Sequence, residues 1–397
     1  MITNKVTLGV KDASPNILLI SDYFLPGFKG GGPIKSIENL SLKIQNFSRM
    51  IILTKDRDFA DDSQYKGIVS GRLTKYNCHN VIYERRINIF SILKYIKSED
   101  VDLIWINSFF SSYSVSVLIL KKVGLIDLPI ILSPRGELSS GALSLKNKKK
   151  NLFLYMSSLI NLYKGAVFHS TDKMESEDIS KLLNFNSVCI PNLASEKVFL
   201  LNPEKKIKGY LRIVFLSRIS KKKNLLQAIQ IVNSIHVGSI LFDIYGPEED
   251  FQYLKQCISL AKKTHDNVTI NFKGHVYPKD VRRVMSGYHV LLLPTLSENY
   301  GHVIVEAMSS GLIPVISNNT PWRDLQCHNA GWDIDLGSLD KFSDALREVL
   351  EYDDDEFREV SSYVIKYIDQ KVNNLESIIK YKEFISKVIS KNNYKPD

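Results

Sequence analysis

Short apolar runs alternate with helix-like segments along the whole of this 397-residue chain. In the first half they are NILLIS (16–21), RMIILT (49–54), DLIWIN (102–107), PIILS (129–133), AVFHS (166–170) and SVCIP (187–191). In the second half they are LRIVFLS (211–217), SILFDIY (239–245), VTINFKG (268–274), HVLLLP (289–294) and IPVIS (313–317). Nearly all are continuously apolar rather than alternating, the pattern of strands buried on both faces. Such strands need helices above and below, so parallel sheets are expected. Helical patterns fall between them, at 33–46, 112–122, 172–183, 223–235, 248–263, 278–286, 301–310 and 338–351. The fold class is therefore α/β, with two doubly wound, Rossmann-like domains facing across a cleft. A polar stretch with two prolines, PNLASEKVFLLNPEKKIKGY (191–210), separates the two series. Domains are expected at 1–198 and 199–370. The remainder, 371–397, reads as a C-terminal helix that can pack back on the first domain.

Bulk properties narrow the class. A chain this long suits two domains better than one. Cys78, Cys189, Cys257 and Cys327 form no CxxC pair, so neither a zinc site nor a disulfide framework is expected, and a reducing cytoplasm fits. The first residues, MITNKVTLGVKDASPN, lack the apolar core of a signal peptide. The stretch SVSVLILKKVGLIDLPIILS is interrupted by Lys121, Lys122 and Asp127, so it reads as helix, turn and strand rather than a membrane span. The formal net charge is +9. Residues 1–198 hold 26 Lys+Arg and 18 Asp+Glu, a net of +8, and the rest holds +1. The basic half suits either plain solubility or an anionic partner.

In parallel sheets, ligands bind outside the carboxyl ends of the strands. The residues that stand out lie there. After 16–21 comes DYFLPGFKGGGPIKSIENL, where Gly30, Gly31 and Gly32 let backbone N–H groups approach a phosphate at a helix start. It is neither a Walker A motif nor GxGxxG. After 211–217 comes SRISKKKNL, where Arg218 and Lys223 can hold a diphosphate; Lys221 and Lys222 are expected to be solvated. After 289–294 comes SENYGHVIVEAMSSG (297–311). Glu298 lies in the loop and Glu306 inside an apolar helical run, on the same face as His302. A carboxylate there either turns to water or waits for a ligand. Gly301 and the free N–H groups of Asn299 and Tyr300 suit a phosphate or a polyol.

The spacing Glu298-x7-Glu306, with Asn-Tyr-Gly after the first acid and Glu-Ala-Met-x-x-Gly at the second, resembles the E-x7-E motif of retaining GT-B glycosyltransferases. These are the family 4 enzymes that build bacterial surface polysaccharides such as O-antigen and lipopolysaccharide. FLPGFKGGGP, SRISKKKNL, YGPEED, NNTPWRDL, SPRGELSSGAL and HSTDKMESEDI resemble other segments of that family. The resemblance spans roughly 16–350 and is densest at 289–324. It implies a hexosyltransferase-type enzyme that moves a sugar from a nucleotide-diphosphate donor to a glycan hydroxyl with retention. A polyprenyl-diphosphate-linked oligosaccharide is the implied acceptor. Carried over by position, Glu306 would bind the ribose and Glu298 the donor sugar. Arg218 and Lys223 would stabilise the leaving diphosphate. Asn299, Tyr300 and Gly301 would meet sugar or diphosphate, and Gly31 and Gly32 would line the donor from the other lobe. Family members with a histidine near the donor sugar have it where this chain has SPRG, so Arg135 stands nearest, toward donor or acceptor. No general base is assigned, because the leaving phosphate assists deprotonation in this family.

No metal cofactor is expected. Asp56/Asp58, Asp100/Asp102 and Asp333/Asp335 each spell DxD, but three letters recur by chance, and Arg218 and Lys223 already supply positive charge. His169 and His289 read as structural. Lys146, Lys148, Lys149 and Lys150 adjoin LFLYMSSLINLY, either a capped core helix or a contact with the anionic inner face of the plasma membrane. Two other functions stand beside transfer: a nucleotide-sugar epimerase or hydrolase, and a non-enzymatic binder of anionic surfaces. No nucleic-acid motif is present. Oligomeric state is not legible.

Overall fold

The computed structural model describes residues 14–139, 142–143, 147–195, 204–372 and 374–393. Two sheets are formed. The first contains β1 (Asn16–Ile20), β2 (Arg49–Lys55), β3 (Leu73–Tyr76), β4 (His79–Glu84), β5 (Leu103–Ile106), β6 (Ile130–Leu132), β7 (Ala166–Ser170) and β8 (Ser187–Cys189), in the order β3-β4-β2-β1-β5-β6-β7-β8. All neighbours pair in parallel except β3 and β4. The second contains β9 (Tyr210–Leu216), β10 (Ser239–Tyr245), β11 (Val268–Gly274), β12 (Val290–Leu293), β13 (Ile313–Ser317) and β14 (Trp332–Ile334), in the order β11-β10-β9-β12-β13-β14 and wholly parallel.

The continuous runs are buried as their composition requires. Ile17 to Ile20, Leu103 to Ile106 and Val290 to Leu293 are all fully enclosed. The helices are α1 (Gly32–Ile44), α2 (Ile89–Ser98), α3 (Ser112–Lys122), α4 (Asn147–Leu159), α5 (Lys173–Leu183), α6 (Leu225–Asn233), α7 (Phe251–Ala261), α8 (Val281–Met285), α9 (His302–Ser309), α10 (Leu339–Glu351), α11 (Asp354–Lys371) and α12 (Asn374–Asn393). The segment read as helix, turn and strand is α3 followed by β6. Among the described residues no helix is long and apolar enough to cross a membrane.

Four elements escaped the periodicity. The hairpin β3–β4 sits at the sheet edge, where polar residues interrupt the apolar pattern. Its two-residue turn places Asn77 at φ 52°, a conformation asparagine tolerates. Helix α2 starts with a capping box, in which Asn88 accepts from the Ser91 N–H and the Ser91 hydroxyl accepts from Asn88 N–H. β14 has only three residues.

Helix α11 packs on α9 and β13 of the second lobe, and α12 crosses back. Tyr381, Phe384, Ile385 and Val388 of α12 are buried with Ile17, Leu19, Ile37 and Trp105 of the first lobe. The final helix thus completes the first lobe's core and ties it to the second. Phe384→Ala should cost about 3–5 kcal/mol. Urea denaturation reads this, and an unchanged midpoint would show that α12 carries no core packing. The expected boundary at 198/199 lies outside the described residues, as does Lys146.

Candidate active site

The loop after β12 is strapped from two sides. Leu296 N–H donates to the Lys222 carbonyl at 2.8 Å, and Glu298 N–H donates to the Asn319 carbonyl at 2.9 Å. The Thr295 hydroxyl donates to the Lys222 carbonyl at 3.1 Å. The loop ends on Gly301, the residue before α9, at φ 74°. A Cβ there would lie 2.9 Å from Ile304 Cδ1 and 3.0 Å from Glu298 Cγ, so glycine is required both by conformation and by space. The N–H groups of Asn299, Tyr300 and Gly301 have no hydrogen-bond partner among the described residues. They remain available to a ligand at the helix start.

Behind this loop, the short 3-10 turn Lys221–Lys223 carries Lys223 to Glu298, and the two form a largely buried ion pair. Burial alone would raise the Glu298 carboxyl; Lys223, Lys222 and Arg218 outweigh it and hold it below its usual range. Arg218 reaches Glu249, in the loop after β10, at 3.2 Å. Lys221 is exposed, as expected. Lys222 is half-buried rather than fully solvated. Burial, then the neighbouring Lys223 and Arg218, push its ammonium down to about 8, while Glu298 opposes them. Its carbonyl is fixed by the β12 loop. Three cations, rather than two, therefore surround Glu298.

Glu306 lies one helical turn beyond His302. It is half-buried, and its carboxylate has no hydrogen-bond or ion-pair partner among the described residues. Burial raises it to about 6, with Lys35 and Arg282 pulling the other way. This acid neither reaches full solvent nor finds a partner, which leaves it open to a ligand.

The first lobe faces this array directly. Gly31, at φ 73°, stands where a Cβ would be 3.4 Å from Arg218 Nε. The Gly32 Cβ position is 3.7 Å from His302 Cδ2. His302 Nε2 is 2.7 Å from the Ser36 hydroxyl, and burial followed by Lys35 lowers the ring to about 3, so His302 is neutral. The Asn299 amide is 2.6 Å from the Thr171 hydroxyl, and the Ser297 hydroxyl is 3.2 Å from that of Ser139. At the rim, Phe28 of the glycine-rich loop lies against His275 (5.4 Å) and Tyr277 (5.1 Å). These cross-lobe contacts join segments far apart in sequence, and nothing in the spacing announces them.

Other candidates fall into place. Tyr300 is buried, with its ring 5.5 Å from that of Trp322 and its carbonyl accepting from Trp322 Nε1 at 2.6 Å, so it anchors the loop. The Arg135 guanidinium donates to Asn107 Oδ1 at 2.5 Å and Asn192 Oδ1 at 2.6 Å, while its buried Nη2 has no partner. His169 is fully enclosed, with its ring nitrogens 2.8 Å from the Ser133 hydroxyl and 3.1 Å from the Ile190 carbonyl. His289 is equally buried and accepts from Arg212 N–H at 3.1 Å. Four of the DxD acids are occupied. Asp58 accepts from three backbone N–H groups, Asp102 from Asn16 N–H and Asp333 from Leu325 N–H, and Asp56 pairs with Arg57. Among the described residues no three His, Cys, Asp or Glu converge as metal ligands.

Residues 199–367 match the family model described as Glycosyl transferases group 1. That match spans the second lobe and includes Glu298, Glu306, Arg218 and Lys223. The chain is 32% identical over 109 residues to the GtfA subunit of a UDP-N-acetylglucosamine–peptide N-acetylglucosaminyltransferase from Streptococcus agalactiae. That match covers 27% of this chain and 20% of the relative. The chain spans about a fifth to a quarter of the length of the curated relatives it first matches. Anabaena HepE, solved in complex with UDP and glucose, superimposes with a TM-score of 0.71 at 14% identity, over 94% of this chain and 100% of that one. Sucrose-phosphate synthase from Thermosynechococcus elongatus gives 0.72 at 14% identity, over 95% and 99%. The whole chain therefore has the GT-B fold, two Rossmann-like domains enclosing a cleft.

Proposed function

We propose that this protein is a retaining, metal-independent glycosyltransferase that moves a hexose from a nucleotide-diphosphate donor to a hydroxyl of a growing surface glycan. The observation that carries this reading is the partnerless, half-buried Glu306 carboxylate, one short helix away from a cluster of three cations. In this arrangement Glu306 takes the ribose diol. Arg218, Lys223 and the free N–H groups before α9 take the diphosphate and its growing negative charge. Glu298, held by Lys223, faces the sugar, and Gly31 covers it from the first lobe. A bound donor should raise the melting temperature by mass action. A thermal-shift panel of UDP-, GDP-, dTDP- and ADP-sugars is expected to single out one nucleotide. No shift with any would remove the donor reading. Hydrolysis or epimerisation of the donor in the presence of glycan acceptors, without transfer, would favour the rival enzyme class.

An anionic membrane surface is the proposed setting. Leu152, Tyr155, Met156, Leu159 and Ile160 form an i, i+3, i+4, i+7, i+8 stripe along α4 and just past its end, and all are 46–63% exposed. Phe153, Leu154 and the buried Ser157 turn to the core. Lys148 and Lys149 are exposed beside the stripe, while Lys150 turns back to the Ala142 carbonyl at 2.6 Å. The protein should float with phosphatidylglycerol vesicles and not with phosphatidylcholine vesicles, and Met156→Glu with Leu159→Glu should abolish flotation. Equal recovery with both lipids, or none, would contradict the membrane setting.

A further inference from the structure

The carboxyl edge of the first sheet holds a recess of about 330 Å³ outside the charged cluster. Tyr23 lines it from the loop after β1, Lys55 and Arg57 from the end of β2, and Arg85 and Arg86 from the loop after β4. These strands are adjacent in the order β4-β2-β1, so their loops converge at the ligand-binding end of the sheet.

The recess is richer in unused donors than in unused acceptors. Asp58 accepts from the N–H groups of Phe28, Lys29 and Phe59, and Asp61 is paired with Lys29 at 2.5 Å. Lys55 is paired with Asp22 at 2.5 Å and lies 5.1 Å over the Tyr23 ring, which closes that face to stacking by a sugar. Arg57 is pinned, with Nε on Asp56 at 2.9 Å and Nη1 on the Asp62 carbonyl at 2.5 Å. Its Nη2 has no partner among the described residues. Arg85 and Arg86 are exposed and have no partner among the described residues either. Against these stands one uncommitted lining carboxylate, Asp62. Three guanidinium forks with free N–H groups suit an oxyanion, which they can bind in bidentate fashion.

The recess and the cleft share a wall. Tyr23 and Gly31 belong to one loop, which Asp58 fastens at Phe28 and Lys29, and Gly31 faces Arg218. A molecule in the recess lies behind the loop that covers the proposed donor.

We propose that this recess binds a phosphate or carboxylate group of the acceptor, which is therefore an anionic molecule. The proposal rests on the transferase reading above and names the acceptor's chemistry. Phenylglyoxal modifies accessible guanidinium groups, and peptide mass spectrometry reads each arginine separately. With the full-length protein, inorganic phosphate or glucuronate is expected to slow modification of Arg85 and Arg86 severalfold, and galactose to leave it unchanged. Protection by phosphate alone assigns a phosphate group, and by glucuronate alone a carboxylate. Arg283, exposed on the second lobe, is the reference. No slowing by either anion, or slowing equal to that at Arg283, would overturn the proposal. In the Arg85→Gln/Arg86→Gln variant, protection of Arg57 by the same anion should fall about tenfold. Persistence of that protection would also overturn it. The donor-induced thermal shift of this variant should match wild type. Absence of that shift in the wild-type protein counts against transfer and not against the oxyanion site, so the two failures are read separately.

Discussion

Glu306→Gln is expected to stabilise the ligand-free protein by about 2 kcal/mol at pH 7 and to weaken donor binding about 10- to 100-fold. The stability gain follows from the carboxyl's environment. Burial raises it from 4.5 to about 6, because no partner compensates the lost hydration and Lys35 and Arg282 offset it only in part. Below about pH 4.5 the group is protonated in both the folded and unfolded chains, and the variant and wild type should be equally stable. As pH rises from 4.5 to 6, the unfolded chain releases the proton first, so the folded wild type loses stability relative to the variant. Above 6 the difference is complete. Denaturation at pH 4 and pH 7 measures this directly. Equal stability at pH 7 would mean that the carboxylate is solvated, and the ligand-seeking acid would lose its basis. The binding loss follows from removing the charge-assisted acceptor proposed for the ribose diol. A substitution that strengthens the fold and damages the site is the behaviour expected of a group kept for function.

Lys223→Met should produce the opposite pattern. It leaves the Glu298 carboxylate buried without its ion pair, at a cost of about 3 kcal/mol. It also removes one of the cations proposed to meet the leaving diphosphate, so transfer should slow about 100-fold or more. The loss of stability should be greatest at neutral pH and fade as the solution becomes acidic. Glu298 is depressed when paired, so the stability it contributes is present above the ordinary carboxylate range and lost as pH falls through the folded value. Lys223→Met combined with Glu298→Gln should recover most of the stability and none of the activity. If the single and double variants unfold at the same denaturant concentration, the pair is not coupled in solution.

The two sheets were legible because strands enclosed on both faces must be apolar throughout, as in NILLIS and HVLLLP. The β3–β4 hairpin was not, since LTKY and HNVIYE lie at an edge and mix polar with apolar residues. Its turn residue Asn77 and the Asn88–Ser91 cap of α2 were signals available to a closer reading. In the site, the spacing from Glu298 to Glu306 and the position of Arg218 and Lys223 at a strand end could be read directly. The ion pair between Lys223 and Glu298 could not, because it joins residues 75 positions apart. Lys222 is half-buried although a run of three lysines reads as solvated, and its carbonyl accepts from Thr295 and Leu296 of the β12 loop. Arg135 could be placed after β6, but its hold on Asn107 and Asn192 depends on two loops that only folding brings together. The same is true of Ser36 with His302 and of Thr171 with Asn299, which align the two lobes.

The most direct test is titration calorimetry of the nucleoside diphosphate selected by the thermal-shift panel, compared between wild type and Glu306→Gln at pH 7. Saturable binding at a single site in the wild type is expected, with affinity lower by about 10- to 100-fold in the variant. Equal affinity in the two proteins, with both folded, would contradict the placement of the nucleotide at this cleft.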